Sequence, residues 1–241
     1  MSSTIAPTGL LISGEWLQTS ARMPVIDPAT GSSIAEISNA SVADGIDAVT
    51  SAHDAFQTWG ATPARFRAEI LRKAFEIMSA ELETCALLIS LENGKARRDA
   101  MGEAAYAAEF FRWFSEEASR IEGGFRYAPS RDKTIITDHR PMGVAYMITP
   151  WNFPAAMATR KLAPALAAGC TAVLKPAGET PLTALWIGDV LQRAGVPAGV
   201  VNIITTSTSG AVSSAILADP RVATLSFTGS TYVGKMLLVQ T

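Results

Sequence analysis

The feature that most constrains this chain is the alternation of short apolar runs with helical segments between residues 143 and 241. Segments 144–149, 171–174, 200–204 and 223–227 read as strands. Segments near 154–168, 181–194, 210–218 and from 230 onward read as helices. A strand that is apolar throughout has both faces covered, and the intervening helices supply the cover. That is the pattern of βαβ units in a parallel sheet. Pro154 and Pro181 fall where a first-turn proline is tolerated. Ligands of such sheets bind outside the carboxyl ends of the strands. Three loops therefore carry the functional interest: 149–154, 175–180 and 227–231.

The rest of the chain divides into two further zones. Residues 1–125 begin with a β-like lead and continue as helices. Ser41 and Asp44 form a helix-start signature. From Pro63 a long helical pattern places Phe66, Ile70, Ala74, Met78, Leu82, Cys85 and Ile89 on one stripe, ended by Asn93-Gly94. A second helix carries Ala104, Ala107, Phe111, Phe114, Ala118 and Ile121, stopped by Gly123-Gly124. Residues 126–142 differ: 134–137 is β-rich between polar stretches, which predicts an extended arm or hairpin. No internal repeat and no low-complexity tract interrupts these zones.

Composition excludes several classes. Lys and Arg total 20 against 22 Asp and Glu, so no basic surplus favours nucleic acid. Charged residues are 17 %, below the usual ~25 %, which favours a buried globular chain. Two cysteines rule out a disulfide framework or a four-cysteine zinc site. With only His53 and His139, no metal is expected. The apolar run 162–174 contains Pro164 and Gly169 between Lys161 and Lys175. It is shorter than the ~20 residues a span needs, so it reads as core and no membrane partner is expected. The first residues do not read as a secretory signal, and the expected location is the cytoplasm.

Each loop supports a functional and a plainer reading. In Thr149-Pro150-Trp151-Asn152-Phe153-Pro154, two prolines fix a turn that presents the Asn152 amide. Such a donor can stabilise a developing oxyanion, at about 3–4 kcal/mol in a well-built site, or simply close the turn. In Lys175-Pro176-Ala177-Gly178-Glu179, the lysine can reach ribose hydroxyls or phosphate, or be a solvated strand end. In Phe227-Thr228-Gly229-Ser230, a glycine before a helix suits a phosphate, or Ser230 is a plain cap. Gly229 to Lys235 also matches the first seven positions of G-x-x-x-x-G-K-[ST], but Met236 replaces the hydroxyl residue that would meet Mg²⁺. A phosphate-loop ATPase is thus a weak alternative. No G-x-G-x-x-G fingerprint occurs.

Together the loops resemble the aldehyde dehydrogenase family. TPWNFP at 149–154, LKP at 174–176 and FTGS at 227–230 stand in the family's order and spacing. ISGEW at 12–16, DPATG at 27–31, LENGK at 91–95 and AGVPAGVVN at 194–202 extend the likeness over essentially the whole chain. The resemblance implies a Rossmann-like parallel sheet with flanking helices. Residues 1–125 and 143–241 would form a cofactor-binding domain, and 126–142 a bridging or oligomerisation arm. It implies oxidation of a small-molecule aldehyde to a carboxylate with NADP or NAD. Asn152 would donate to the oxyanion, and Thr149 and Trp151 would line the cofactor cleft. Lys175 would bind the adenosine ribose, with Ala177 and Gly178 in the same loop beside the cofactor. Gly229 and Ser230 would face the pyrophosphate.

The subgroup most resembled is the succinate-semialdehyde dehydrogenases. There, the arginine matching Arg160 would grip a substrate carboxylate in bidentate fashion; the plainer reading is a surface helix residue. Relatives preferring NAD often carry glutamate where this chain has Gly178. Its absence removes repulsion of a 2′-phosphate and favours NADP, although Glu179 is adjacent. The stretch 205–210 departs from the family's glycine-rich loop, with Thr206 in place of glycine.

The family's cysteine nucleophile and glutamate base lie beyond the FTGS helix. Cys85 sits on a helical stripe and Cys170 begins a buried strand, so both read as core thiols. The chain is therefore expected to be a truncated form, the N-terminal half of a homo-oligomeric enzyme and inactive alone. A stand-alone dinucleotide-binding module is the alternative.

Overall fold

A computed structural model describes residues 5–240. Met1–Thr4 and Thr241 lie outside the described residues. So do, to that extent, the reading of the leader and that of the last helical segment as far as its final residue.

The central sheet has six strands. β1 (Leu10–Ile12), β2 (Glu15–Leu17), β7 (Val144–Ile148), β8 (Thr171–Lys175), β9 (Val201–Ile203) and β10 (Val222–Phe227) run in the order β10-β7-β8-β9-β1-β2. The four strands from the C-terminal zone are parallel, and β1 pairs antiparallel with both β9 and β2. β3 (Arg22–Ile26) and β4 (Ser33–Ser38) form a separate ribbon. β5 (Gly124–Tyr127) and β6 (Thr134–Thr137) form an antiparallel hairpin outside the central sheet.

Both faces are buried along β1, β7, β8 and β9, as continuous apolar strands require, whereas the edge strands β10 and β2 are only partly covered. Val144, Tyr146 and Ile148 of β7, with Val173 of β8, pack toward α1 (Val42–Trp59) and α7 (Ser209–Leu217). The alternate residues Ala145, Met147, Ala172 and Leu174 belong to the larger core. That core contains α5 (Pro154–Ala168) and α6 (Leu182–Ala194), backed by α2 (Ala64–Ala80), α3 (Leu82–Asn93) and α4 (Arg97–Glu117). α8 (Thr231–Leu238) follows β10. The Ser41–Asp44 signature forms a reciprocal capping box at the start of α1.

Several expectations are corrected. The stripe expected over residues 66–89 is not one helix, because the chain leaves helical geometry at Glu81 (φ −114°, ψ 26°). A continuous helix from 64 to 93 would run about 45 Å, far past strands of about 17 Å. The break lets both halves cover the same core, and Glu81 pairs there with Arg193 of α6 at 2.6 Å. Phe66, expected inside, is 47 % exposed. The second helix ends at Glu117 and passes through a single 3₁₀ turn, 118–120, which leaves Ile121 exposed. Gly124 already belongs to β5, so the hairpin starts before residue 126.

Candidate functional site

Because β7, β8, β9 and β10 are parallel, their carboxyl ends share one edge, and the three loops singled out above meet there. The ladder continues past the strand ends: Thr149 N donates to Lys175 O at 3.3 Å, and Thr228 N to Ile148 O at 3.2 Å. β7 continues to β8 on one side and has β10 on its other side. This change of direction is the crevice where ligands of open α/β sheets bind.

Lys175, the last residue of β8, is buried. Its ammonium donates to Ser209 Oγ and Pro176 O, both at 3.3 Å. Burial pulls its pKa down, and the charge of Glu179 partly offsets this. A cleft of about 490 Å³ opens beside it, lined by Met23, Glu92, Gly178, Thr206, Ser207 and Ser209 among others. A Cβ on Gly178 would meet only Met23 Cε, at 3.4 Å. Thr206, standing where the family has glycine, is buried and donates to Ala40 O at 2.8 Å. Its hydroxyl therefore tethers the loop after β9 to the start of α1.

Asn152 sits in an exposed turn, and among the described residues nothing hydrogen-bonds its side-chain amide. Trp151 and Phe153 are 56 % and 42 % exposed. The backbone of this turn is held from the α3–α4 connection. Asn93 Nδ2 donates to Trp151 O, and Lys95 Nζ to Asn152 O, both at 2.9 Å. Gly94 adopts a left-handed conformation (φ +74°) that ends α3 and swings Lys95 toward the turn.

Two buried carboxylates support this edge, and sequence reasoning missed both. Neither α5 nor α6 has a side-chain cap of its own. Glu103 of α4 accepts from Ala155 N and Ala156 N at 2.9 and 3.3 Å, and forms an ion pair with Lys95. Glu92 of α3 accepts from Leu182 N and Thr183 N at 2.6 and 2.9 Å. Each satisfies orphan donors of a helix N-terminus from another element. Burial pushes the Glu92 carboxyl up to about 7 against the pull of those hydrogen bonds. The available signal was a glutamate on an apolar stripe: Glu92 lies three residues past Ile89, and Glu103 four before Ala107.

Ser230 caps α8, accepting from Val233 N at 3.3 Å. At Gly229 a Cβ would stand 2.5 Å from the Phe227 ring. Ser230 thus caps the helix, and Gly229 packs against the Phe227 ring. Gly234 and Lys235 lie within α8. A phosphate loop would need the residues before them to form an open cradle, so this geometry opposes the ATPase alternative.

Arg160 is not brought to the three loops. It lies exposed on α5 with its guanidinium 5.5 Å over the Phe110 ring, beside a groove of about 310 Å³ formed by Tyr106, Phe110, Trp113 and neighbours. Cys85 is buried in the core, and burial, then the charges of Glu103 and Glu92, push its thiol up and away from thiolate. Cys170 is buried at the opposite end of β8 from Lys175. A larger hollow of about 600 Å³ also lies at that far end, but its buried Arg67 is committed to the carbonyls of Ala167 and Thr62. Among the described residues no cluster of three or more His, Cys, Asp or Glu could hold a metal, and no helix is long and apolar enough to cross a membrane.

A model of the aldehyde dehydrogenase family matches residues 16–241, and the chain belongs to that family. The chain is 43 % identical over 240 residues to the mitochondrial succinate-semialdehyde dehydrogenase of Hylobates lar, covering 99 % of this chain and 45 % of that protein. It is 45 % identical over 232 residues to the NADP(+) succinate-semialdehyde dehydrogenase GabD of Escherichia coli K12, covering 95 % and 48 %. The crystal structure of succinate-semialdehyde dehydrogenase from Burkholderia pseudomallei superposes with a TM-score of 0.96 at 41 % identity, covering 99 % of this chain and 50 % of that one. The chain spans about half the length of the curated relatives it matches.

Proposed function

We propose that this chain is the cofactor-holding part of a dehydrogenase that oxidises succinate semialdehyde, or a related semialdehyde acid, with NADP in preference to NAD. The observation that carries the reading is the buried Lys175 ammonium at the carboxyl end of β8, beside a cleft that no side chain at Gly178 closes. The donors around it, Lys175 with Ser207 and Ser209, suit the hydroxyls or 2′-phosphate of an adenosine ribose. Glu92 in the same cleft is committed to two amide donors, which supports NADP. Glu179 also lines the cleft and its charge reaches Lys175, but it is solvent-exposed, which weakens its repulsion of a 2′-phosphate.

A bound NADP would supply the hydride acceptor for the oxidation. The protein's part is to bind and orient. The N-termini of α5 and α6 are already occupied by Glu103 and Glu92. That directs a pyrophosphate to the exposed start of α8, at Gly229 and Ser230. Thr149, Trp151 and Ala177, in the loops that follow β7 and β8, are assigned to the cofactor beside this cleft. Asn152, its amide uncommitted, donates to the oxygen on which charge develops. Arg160, exposed on α5 outside the three loops, is assigned the carboxylate end of the substrate on the likeness to the semialdehyde dehydrogenases alone. Neither Cys85 nor Cys170 serves as nucleophile, and we place the nucleophile and base in the part of the family fold that this chain does not span. The exposed hairpin, with Phe125, Tyr127 and Ile136 more than half exposed, is the proposed arm for assembly with further copies.

Calorimetric titration tests the reading. NADP should bind the 241-residue chain more tightly than NAD, and Lys175→Met should weaken both. Neither aldehyde oxidation nor ATP hydrolysis should occur. Aldehyde turnover that survives replacement of both cysteines would overturn the assignment, as would ATP hydrolysis. Dinucleotide binding without any aldehyde activity in a complete native protein of this length would favour a stand-alone binding module.

A further inference from the structure

We propose that Asn93 and Lys95 are positioning residues that grip the 151–153 turn by its backbone and so aim the Asn152 side chain. The proposal rests on the reading of Asn152 as the oxyanion donor. Three consecutive residues of the turn are each met from the 93–95 segment. Asn93 Nδ2 donates to Trp151 O at 2.9 Å, and Lys95 Nζ to Asn152 O at 2.9 Å. The same ammonium lies 4.0 Å from the centroid of the Phe153 ring.

Lys95 also pairs with Glu103, whose side chain is fully buried and whose other oxygen holds Ala155 N and Ala156 N. One ammonium therefore couples the turn to the group that anchors the first turn of α5. Pro150 and Pro154 fix the ends of the turn, but its middle is exposed and gains little from burial. An amide on such a turn points in one direction only if its carbonyls are held. A donor that is already aimed before reaction costs no reorganisation as charge develops. This gives the LENGK segment a role that neither cofactor nor substrate binding assigns to it.

The test has two arms. In the 241-residue chain, hydrogen exchange is followed at the amides of Ala155, Ala156 and Met157, which are hydrogen-bonded to Glu103 and to the Phe153 carbonyl. Asn93→Ala and Lys95→Met should each speed exchange there about ten-fold, a rise set by loss of one charge-assisted or amide hydrogen bond. The amides of Leu182 and Thr183 under Glu92 should not change. Because Lys95→Met leaves Glu103 buried and unpaired, Lys95→Met/Glu103→Gln is the companion variant that keeps an acceptor for Ala155 N. Unchanged exchange in a folded variant overturns the grip, whatever the activity.

In the complete enzyme acting on succinate semialdehyde, Lys95→Met/Glu103→Gln should lower kcat about ten-fold, with KM for NADP unchanged. Added to Asn152→Ala, it should lower kcat no further, because it acts through Asn152. Equal losses in both backgrounds overturn the positioning role. If Asn152→Ala itself leaves kcat unchanged, the oxyanion reading fails, and the exchange arm still decides the grip.

Discussion

Glu92 makes the stability of this protein depend on pH in a direction opposite to that of most carboxylates. Its side chain is buried against the start of α6, and burial raises its pKa from 4.5 to about 7. At about 1.4 kcal/mol per pH unit, that displacement corresponds to roughly 3 kcal/mol. Below pH 4.5 the carboxyl is protonated in the folded and unfolded chains alike. Between 4.5 and 7 the folded chain keeps a proton that the unfolded chain has released, so stability falls as pH rises. Above 7 both forms are ionised and the full burial cost is present. Glu92→Gln removes the titration and retains one carbonyl oxygen to accept from Leu182 N or Thr183 N. The assay is urea unfolding of both proteins from pH 5 to pH 8. Groups common to the two proteins cancel in the difference. The stability of the wild type relative to the variant should decline by about 2.5 kcal/mol from pH 5 to pH 8, most steeply below pH 7 and levelling off above it. A difference that stays constant, or that grows with pH, would refute the buried-carboxylate argument.

Three further outcomes are expected. Gly178→Glu has room for its Cβ and should weaken NADP about ten-fold or more while sparing NAD, because a carboxylate there repels a 2′-phosphate; equal changes in the two dissociation constants would count against the cleft. Gly229→Ala drives a Cβ into the Phe227 ring and should cost about 1–3 kcal/mol in urea unfolding; a wild-type midpoint would show that this contact is not tight. Arg160→Ala, in a complete enzyme, should raise KM for an acid semialdehyde far more than for a neutral aldehyde, measured by steady-state kinetics; equal rises would remove Arg160 from the substrate site.

Element type was legible in the sequence because it follows from local periodicity. The helix expected over 154–168 is α5 as observed, and the four parallel strands begin and end within about a residue of their expected limits. The capping box at Ser41 was also readable, since its partners lie three residues apart. The loops at one sheet edge followed from the parallel alternation, and with them the candidate positions Asn152, Lys175 and Gly229. The break at Glu81 was not legible, because the apolar stripe continues across it and only the size of the core decides where a helix must turn.

Tertiary structure decided what pairs with what. β1 enters the sheet against β9, with Leu11 opposite Ile203 far along the chain. Glu92 meets Leu182 across 90 residues, and Glu103 meets Ala155 across 52. In the sequence each glutamate is only a polar residue on an apolar face. Its partner is a backbone N–H, which every residue but proline carries and which no residue type advertises. Side-chain periodicity thus determined the elements and the edge where the site lies. Which buried charge caps which helix, and so what holds the Asn152 turn in place, was decided only when the fold brought a donor and an acceptor together out of water.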